Sequence, residues 1–147
     1  MKLDEKDLEI LGILKQNAKL TTSQISKQTK IPITTVHNRI KKLESIGVIR
    51  NYTVVLNHQL LGKDLLVYVL VGVDQNLPGK IISQDEIAKK IKAYEEVEEA
   101  NIITGDNDII VKARFKSIAQ LNNFIMKKLR KIDGVDKTKT MVVLEEI

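Results

Sequence analysis

Three residues at helical spacing, Thr34, Asn38 and Lys41, carry the chemistry that reads the edge of a DNA base. At about 100° per residue they share one helix face with Ser45, opposite the apolar Val36, Ile40 and Leu43. Asn pairs bidentately with adenine, Thr offers a hydroxyl and a methyl, and Lys reaches guanine or phosphate. Thr35 and Lys42 flank this face on one side and His37 on the other. Arg39 lies nearer the buried edge, in reach of a backbone phosphate that fixes register without reading sequence. Arg50, just beyond the helix, is a second phosphate candidate. The plainer reading is a solvated helix face with Arg39 in an ordinary ion pair. The face as a whole favours DNA, with Thr34, Thr35, Asn38, Arg39, Lys41, Lys42 and Arg50 as the expected contacts.

A second constellation, Thr104-Gly105-Asp106-Asn107-Asp108, is polar and sits between two apolar runs. Gly, Asp and Asn suit a hairpin turn, and from chemistry alone the turn is the stronger reading. Nothing else suggests catalysis. His37 and His58 are the two histidines, neither at metal-ligand spacing, and the chain has no cysteine. Gly72, Gly79 and Gly105 stand alone, so no phosphate-cradling loop is formed. Glu95-Glu96 and Glu98-Glu99 read as an exposed helix end and turn. The expectation is a protein that is not an enzyme and holds neither metal nor cofactor.

Charge locates the polyanion-facing part. Residues 1–62 hold ten Lys and Arg against five Asp and Glu, whereas residues 63–147 hold fourteen of each. The whole surplus of +5 therefore belongs to the N-terminal part. No apolar run reaches the roughly 18 residues of a membrane helix. Charged residues follow Met1 directly, so no signal peptide is expected. With cysteine absent as well, a cytoplasmic protein is the reading.

The elements that position these residues follow from periodicity. Asp4 to Asn17 predicts a helix with Ile10, Leu11, Leu14 and Ala18 inward. Thr21 and Gln24 make a capping box for a short second helix, with Ile25 and Thr29 inward. Pro32 opens the third helix, Gly47 ends it, and Val48 to Leu56 is extended. That is a winged helix-turn-helix over residues 1–56, followed by a linker at 57–63. Residues 64–147 then read as strand (Leu65–Val73), helix capped by Ser83 and Glu86, strand (Ala100–Thr104), strand (Ile109–Phe115), helix capped by Ser117 and Gln120, and strand (Thr138–Leu144). The βαββαβ order predicts a ferredoxin-like α+β domain, four antiparallel strands with helices on one face. The first strand is apolar at successive positions, so its second face also needs cover. A dimer is expected.

Three segments, Leu3-Asp4-Glu5-Lys6-Asp7, Arg39 through Ile49, and Thr138 to Glu146, run in the same order in a known family. Through them the chain resembles the leucine-responsive and asparagine-synthesis regulators (Lrp/AsnC) along its length. The resemblance implies a transcription regulator that binds double-stranded DNA and forms a homodimer, then a tetramer or octamer. It also implies an amino-acid effector held at the 104–108 loop near the interface between dimers. Gly105 would admit a carboxylate to backbone amides, and Asp106 or Asp108 would take an ammonium group, with Thr104 beside them. The chain departs from the common pattern at Lys30 (often Gly), Pro32 (often Ser or Thr) and Asn107 (often aromatic). Two rivals stay open: an architectural, chromatin-like DNA binder, and an enzyme of similar fold such as a sirohaem decarboxylase.

Overall fold

The structure is a computed structural model and describes residues 2–146; Met1 and Ile147 lie outside the described residues. The chain divides into two compact units that meet at Leu56 and Asn57.

The first unit holds α1 (Glu5–Gln16), α2 (Thr22–Thr29) and α3 (Ile33–Ser45). Each start has a local cause. The Asp4 side chain accepts from the Asp7 amide and the Asp7 side chain accepts from the Asp4 amide, a reciprocal box that satisfies two free donors of α1. Thr21 and Gln24 form the same box for α2. Pro32 stands at the N-cap of α3, one position before the first helical residue. Ile10, Leu14, Ile25, Ile31 and Val36 form the core. Because α1 ends at Gln16, Ala18 falls outside it and is exposed; Ile13 joins the core from the helix instead.

Lys30 closes α2 in the left-handed conformation, φ 58°, the one non-glycine residue of positive φ among those described. The tight turn of the motif is thus made without glycine. Residues 50–57 are not part of any strand, so the expected wing strand is unpaired in this chain.

The second unit contains β1 (Leu65–Val73), a small hairpin of β2 (Asn76–Leu77) and β3 (Lys80–Ile81), α4 (Gln84–Lys92), β4 (Val97–Ile102), β5 (Ile109–Phe115), α5 (Ile118–Asn123) and β6 (Val135–Val142). The four long strands are antiparallel in the order β4-β5-β1-β6, the ferredoxin-like order. Val67, Val69 and Val71 of β1 and Val111, Ala113 and Phe115 of β5 face Ile87 and Ile91 of α4 and Leu121, Phe124 and Leu129 around α5. Phe124 sits edge-on to Tyr94, with centroids 5.6 Å apart, and 5.3 Å from Phe115. Alternation along β1 turns Tyr68 and Leu70 to the opposite face, where they are half-buried.

Three features depart from the sequence reading. The 76–81 hairpin, turning at Gly79, was not expected. The helix after Ser117 widens into a π turn at Phe124–Lys128 and then a 3₁₀ turn at Leu129–Lys131. Strands β4 and β6 begin three residues earlier than predicted. The added residues of β4 pair with β5 and bring ion pairs with them. Glu98 and Glu99, read as a solvated turn, lie beside cations of β5 instead. Arg114 Nε donates to Glu98 at 2.6 Å, and Lys112 Nζ is 3.3 Å from Glu98 and 3.8 Å from Glu99. A bulge between Val97 and Glu99 accommodates the shift in register.

Candidate nucleic-acid interface and effector loop

Helix α3 is the exposed basic helix of the first unit. Val36 and Leu43 are fully buried and Ile40 is half-buried, so the axial orientation is fixed by the core. Opposite them Thr34, Asn38, Lys41 and Ser45 are exposed, and so are Ile33 and His37. Thr35 and Lys42 are half-buried. Beyond the helix, Arg50 is exposed. Tyr52 donates its hydroxyl to Glu44 at 2.7 Å, which ties the extended segment to the last turn of α3. Partial burial, and then the hydrogen bond and charge of Glu44, push the Tyr52 phenol up to about 12.

Arg39 makes the ion pair that the plainer sequence reading allowed. Its Nη1 donates to Asp4 at 2.6 and 2.7 Å and to Asp7 at 2.7 Å. Lys42 Nζ adds a longer contact to Asp7 at 3.4 Å. The Asp7 side chain is wholly inaccessible and that of Arg39 is 22% exposed. Hydrogen bonding from Arg39, then from the Asp7 amide, holds the Asp4 carboxyl below its ordinary value. Burial acts to raise Asp7, but the bonds from Arg39 and the Asp4 amide outweigh it, and that carboxyl is also lowered. The guanidinium is raised in turn, through Asp4 first and Asp7 second. Arg39 is therefore a clasp between the start of α1 and the middle of α3. The same two acids that cap α1 fix the roll of α3.

The 103–108 segment joins β4 to β5. Ile103 N donates to Asp108 O at 2.8 Å and Asp108 N donates to Val71 O at 2.9 Å. Gly105 has φ 122°, a conformation that favours glycine, and open space where a Cβ would stand. Thr104 and Asp106 are exposed. Asp108 departs from the ammonium-binding role expected of it. Its Oδ2 accepts from Val73 N at 2.7 Å and its Oδ1 accepts from Gln84 Nε2 at 2.6 Å. Both oxygens are engaged within the fold, tying the loop to the end of β1 and the start of α4. Thr104, Gly105 and Asp106 remain available to a ligand. Sequence reasoning missed this role of Asp108 and allowed an ion pair for Arg39 without naming its partners, because both depend on partners more than thirty positions away for at least one bond.

A larger charge cluster was also missed. Arg114, 5% exposed, donates to Glu98 and, through both terminal nitrogens, to Glu146 at 2.8 and 2.7 Å. Hydrogen bonding from Arg114 lowers the Glu146 carboxyl. The segment that ends the chain is thereby pinned to β5.

Comparison with known proteins agrees with both units. Residues 3–50 match a winged helix-turn-helix DNA-binding family model, and residues 66–147 match the Lrp/AsnC ligand binding domain. The chain is 38% identical over 143 residues to the HTH-type transcriptional regulator FL11 of Pyrococcus furiosus, covering 97% of this chain and 90% of the relative. Among solved structures, a Neisseria meningitidis transcriptional regulator in complex with L-Met is similar, at 25% identity and TM-score 0.90, over 99% of this chain and 92% of that one. The AsnC structure from E. coli is similar at 26% identity and TM-score 0.84, over 99% of this chain and 95% of that one.

Proposed function

The chain belongs to the Lrp/AsnC family of transcriptional regulators, and on that premise we propose that it binds a pseudo-palindromic operator as a dimer or higher oligomer under the control of an amino acid. The observation that carries the DNA reading is the exposed polar face of α3, held in place by its own buried stripe and by the Arg39 clasp. Asn38 and Thr34 read bases; Lys41 and Arg50 contact phosphates, with Lys42 and Thr35 at the margin. Arg39 orients the helix and is not counted among the contacts.

The open face of the sheet supports the dimer. Tyr68 and Leu70 of β1 and Ile110 of β5 lie opposite the helical layer and are only half-buried, and a second copy of this chain covers them. Two recognition helices related by a two-fold axis then call for half-sites about one helical turn apart, or a multiple of it. Dimers assemble further into tetramers or octamers.

For the effector, the L-Met complex of the Neisseria relative supports an amino acid as the ligand class. Amides near Gly105 face the carboxylate, Asp106 takes the ammonium group, and Thr104 supplies a hydroxyl. Asp108 holds the frame. The test is selection of bound DNA from a random pool by the full chain, with and without a mixture of amino acids, followed by footprinting and sedimentation. A palindromic consensus whose affinity or stoichiometry changes with an amino acid is the expected result. A single asymmetric site per protein would refute the dimer reading. Binding without sequence preference would favour the architectural role, and indifference to every amino acid would remove the effector.

A further inference from the structure

We propose that Ile33 and His37 form a second base-reading stripe on α3, with Ile33 packing on the C5-methyl of a thymine and His37 donating to the N7 acceptor of a purine. The inference rests on α3 being the reading helix and adds two residues that side-chain type alone had left outside the contact set.

The reading face is displaced from where the helical wheel alone puts it. On one flank Arg39 and Lys42 are drawn against Asp4 and Asp7, so that side of α3 is occupied by α1. The accessible arc therefore extends the other way, from Thr34, Asn38 and Ser45 to Ile33, His37 and Lys41, all of them exposed. Ile33, His37 and Lys41 are spaced i, i+4, i+8 and make one stripe along the helix. Glu44 lies on the same side in the last turn, where it accepts the Tyr52 hydroxyl.

Ile33 sits at the edge of the buried stripe of α3 and still leaves about half of its apolar surface to solvent. It is 49% exposed and lies outside the core of the unit. A β-branched side chain gains nothing in helix propensity at the first turn. What an exposed aliphatic group at the tip of a reading helix does match is the one apolar feature of the major groove, the thymine methyl. His37, one turn on, keeps at least one ring N–H in either protonation state. It can therefore donate to the N7 acceptor that every purine presents in that groove, without depending on charge.

The experiment uses the full-length protein and the operator obtained from the random pool. Each thymine in a half-site is replaced in turn by deoxyuridine, which lacks only the methyl, and each purine by its 7-deaza analogue, which lacks N7. In the wild type one thymine per half-site should respond with about a fourfold loss of affinity, the worth of one buried methyl-sized group. One purine should respond with a loss of roughly three- to tenfold, that of one hydrogen bond. Ile33→Ala should erase the thymine response and leave the purine response; His37→Ala should do the reverse. Absence of either response in the wild type, or its persistence in the matching variant, overturns the proposal. The wild-type measurements need no variant to fold. Asn38→Ala, run in parallel, separates the two levels of the argument. If it relaxes the selected sequence while the other two variants do not, the stripe alone fails. If all three leave selection unchanged, α3 is not the reading helix.

Discussion

Replacing Arg39 by Met separates a clasp from a phosphate contact, because the two roles leave opposite signatures. The change keeps length and apolar stem but strands the Asp7 carboxylate, whose side chain is inaccessible to solvent. Losing one member of an enclosed ion pair costs roughly 3–5 kcal/mol, and of an exposed pair roughly 0–1. Here the value falls between. Lys42 is still 3.4 Å from Asp7, and the Asp4 amide still donates to it. A loss of about 2 kcal/mol follows for the first unit, close to a thirtyfold change in an opening equilibrium. The assay is amide hydrogen exchange on the full chain, where α1 and α3 should exchange about thirtyfold faster while β1 and β5 stay unchanged. The second assay is operator affinity against salt. A phosphate contact contributes a slope of about 0.9 in the log–log plot, so its loss would flatten the line by that amount. The clasp predicts no change in slope. Unchanged exchange together with a slope reduced by about 0.9 would refute the clasp and restore Arg39 to the interface.

Other expected outcomes follow from the same contacts. The carboxyls of Asp4 and Asp7 are lowered by folding, so the folded state holds fewer of their protons than the unfolded chain does in the acid range. Their stabilisation is therefore complete above the unfolded value and is lost as pH falls through the folded one. An acid titration followed by exchange in α1 should show this, and Arg39→Met should weaken it, leaving the part due to the reciprocal backbone bonds and Lys42. Lys30→Gly relieves a left-handed side-chain strain of about 1–2 kcal/mol but adds about 0.5–1 kcal/mol of chain entropy, so a net gain of about 0.5–1 kcal/mol is expected in denaturant melts. Asp106→Asn should keep stability within about 0.5 kcal/mol, whereas Asp108→Asn should lose about 1–2 kcal/mol, since an amide oxygen replaces only one of two acceptors. Equal melting of the two variants would contradict the framing role of Asp108.

The sequence pattern revealed the elements better than their contacts. N-caps at Thr21, Ser83 and Ser117 and the stop at Gly47 are local signals that the fold follows, although the reciprocal box forms at Thr21 and only the serine half of it at Ser83 and Ser117. The buried residues of α4 and α5 were legible for the same reason, through helical period alone. What escaped were charges whose partners are distant. Glu98 reads as a turn residue until β5 brings Arg114 beside it, and Asp108 reads as an exposed hairpin acid until β1 and Gln84 arrive. Asp7 carried one usable signal. It closes a capping box as the third residue of a helix whose next turn is apolar, a position already close to the core.

The clasp also changes how the basic surplus of the first unit bears on DNA. Arg39, Lys41 and Lys42 are the cations of α3, and two of them face Asp4 and Asp7. Lys41 alone points from the exposed face with its charge free of an ion pair among the described residues. The groove-facing surface is therefore mainly neutral and polar: Thr34, His37, Asn38 and Ser45. On the proposed reading, phosphate attraction comes from Lys41 and, beyond the helix, from Arg50. Charge that is sequence-blind strengthens specific and non-specific binding alike, whereas polar groups at base edges strengthen only the first. On the proposed role of α3, holding two of its three cations against Asp4 and Asp7 favours discrimination over raw affinity. Removing Lys41 should consequently weaken random and operator DNA by a similar factor, and removing Asn38 should weaken only the operator. Equal losses on both DNAs for both variants would contradict this division of labour within α3.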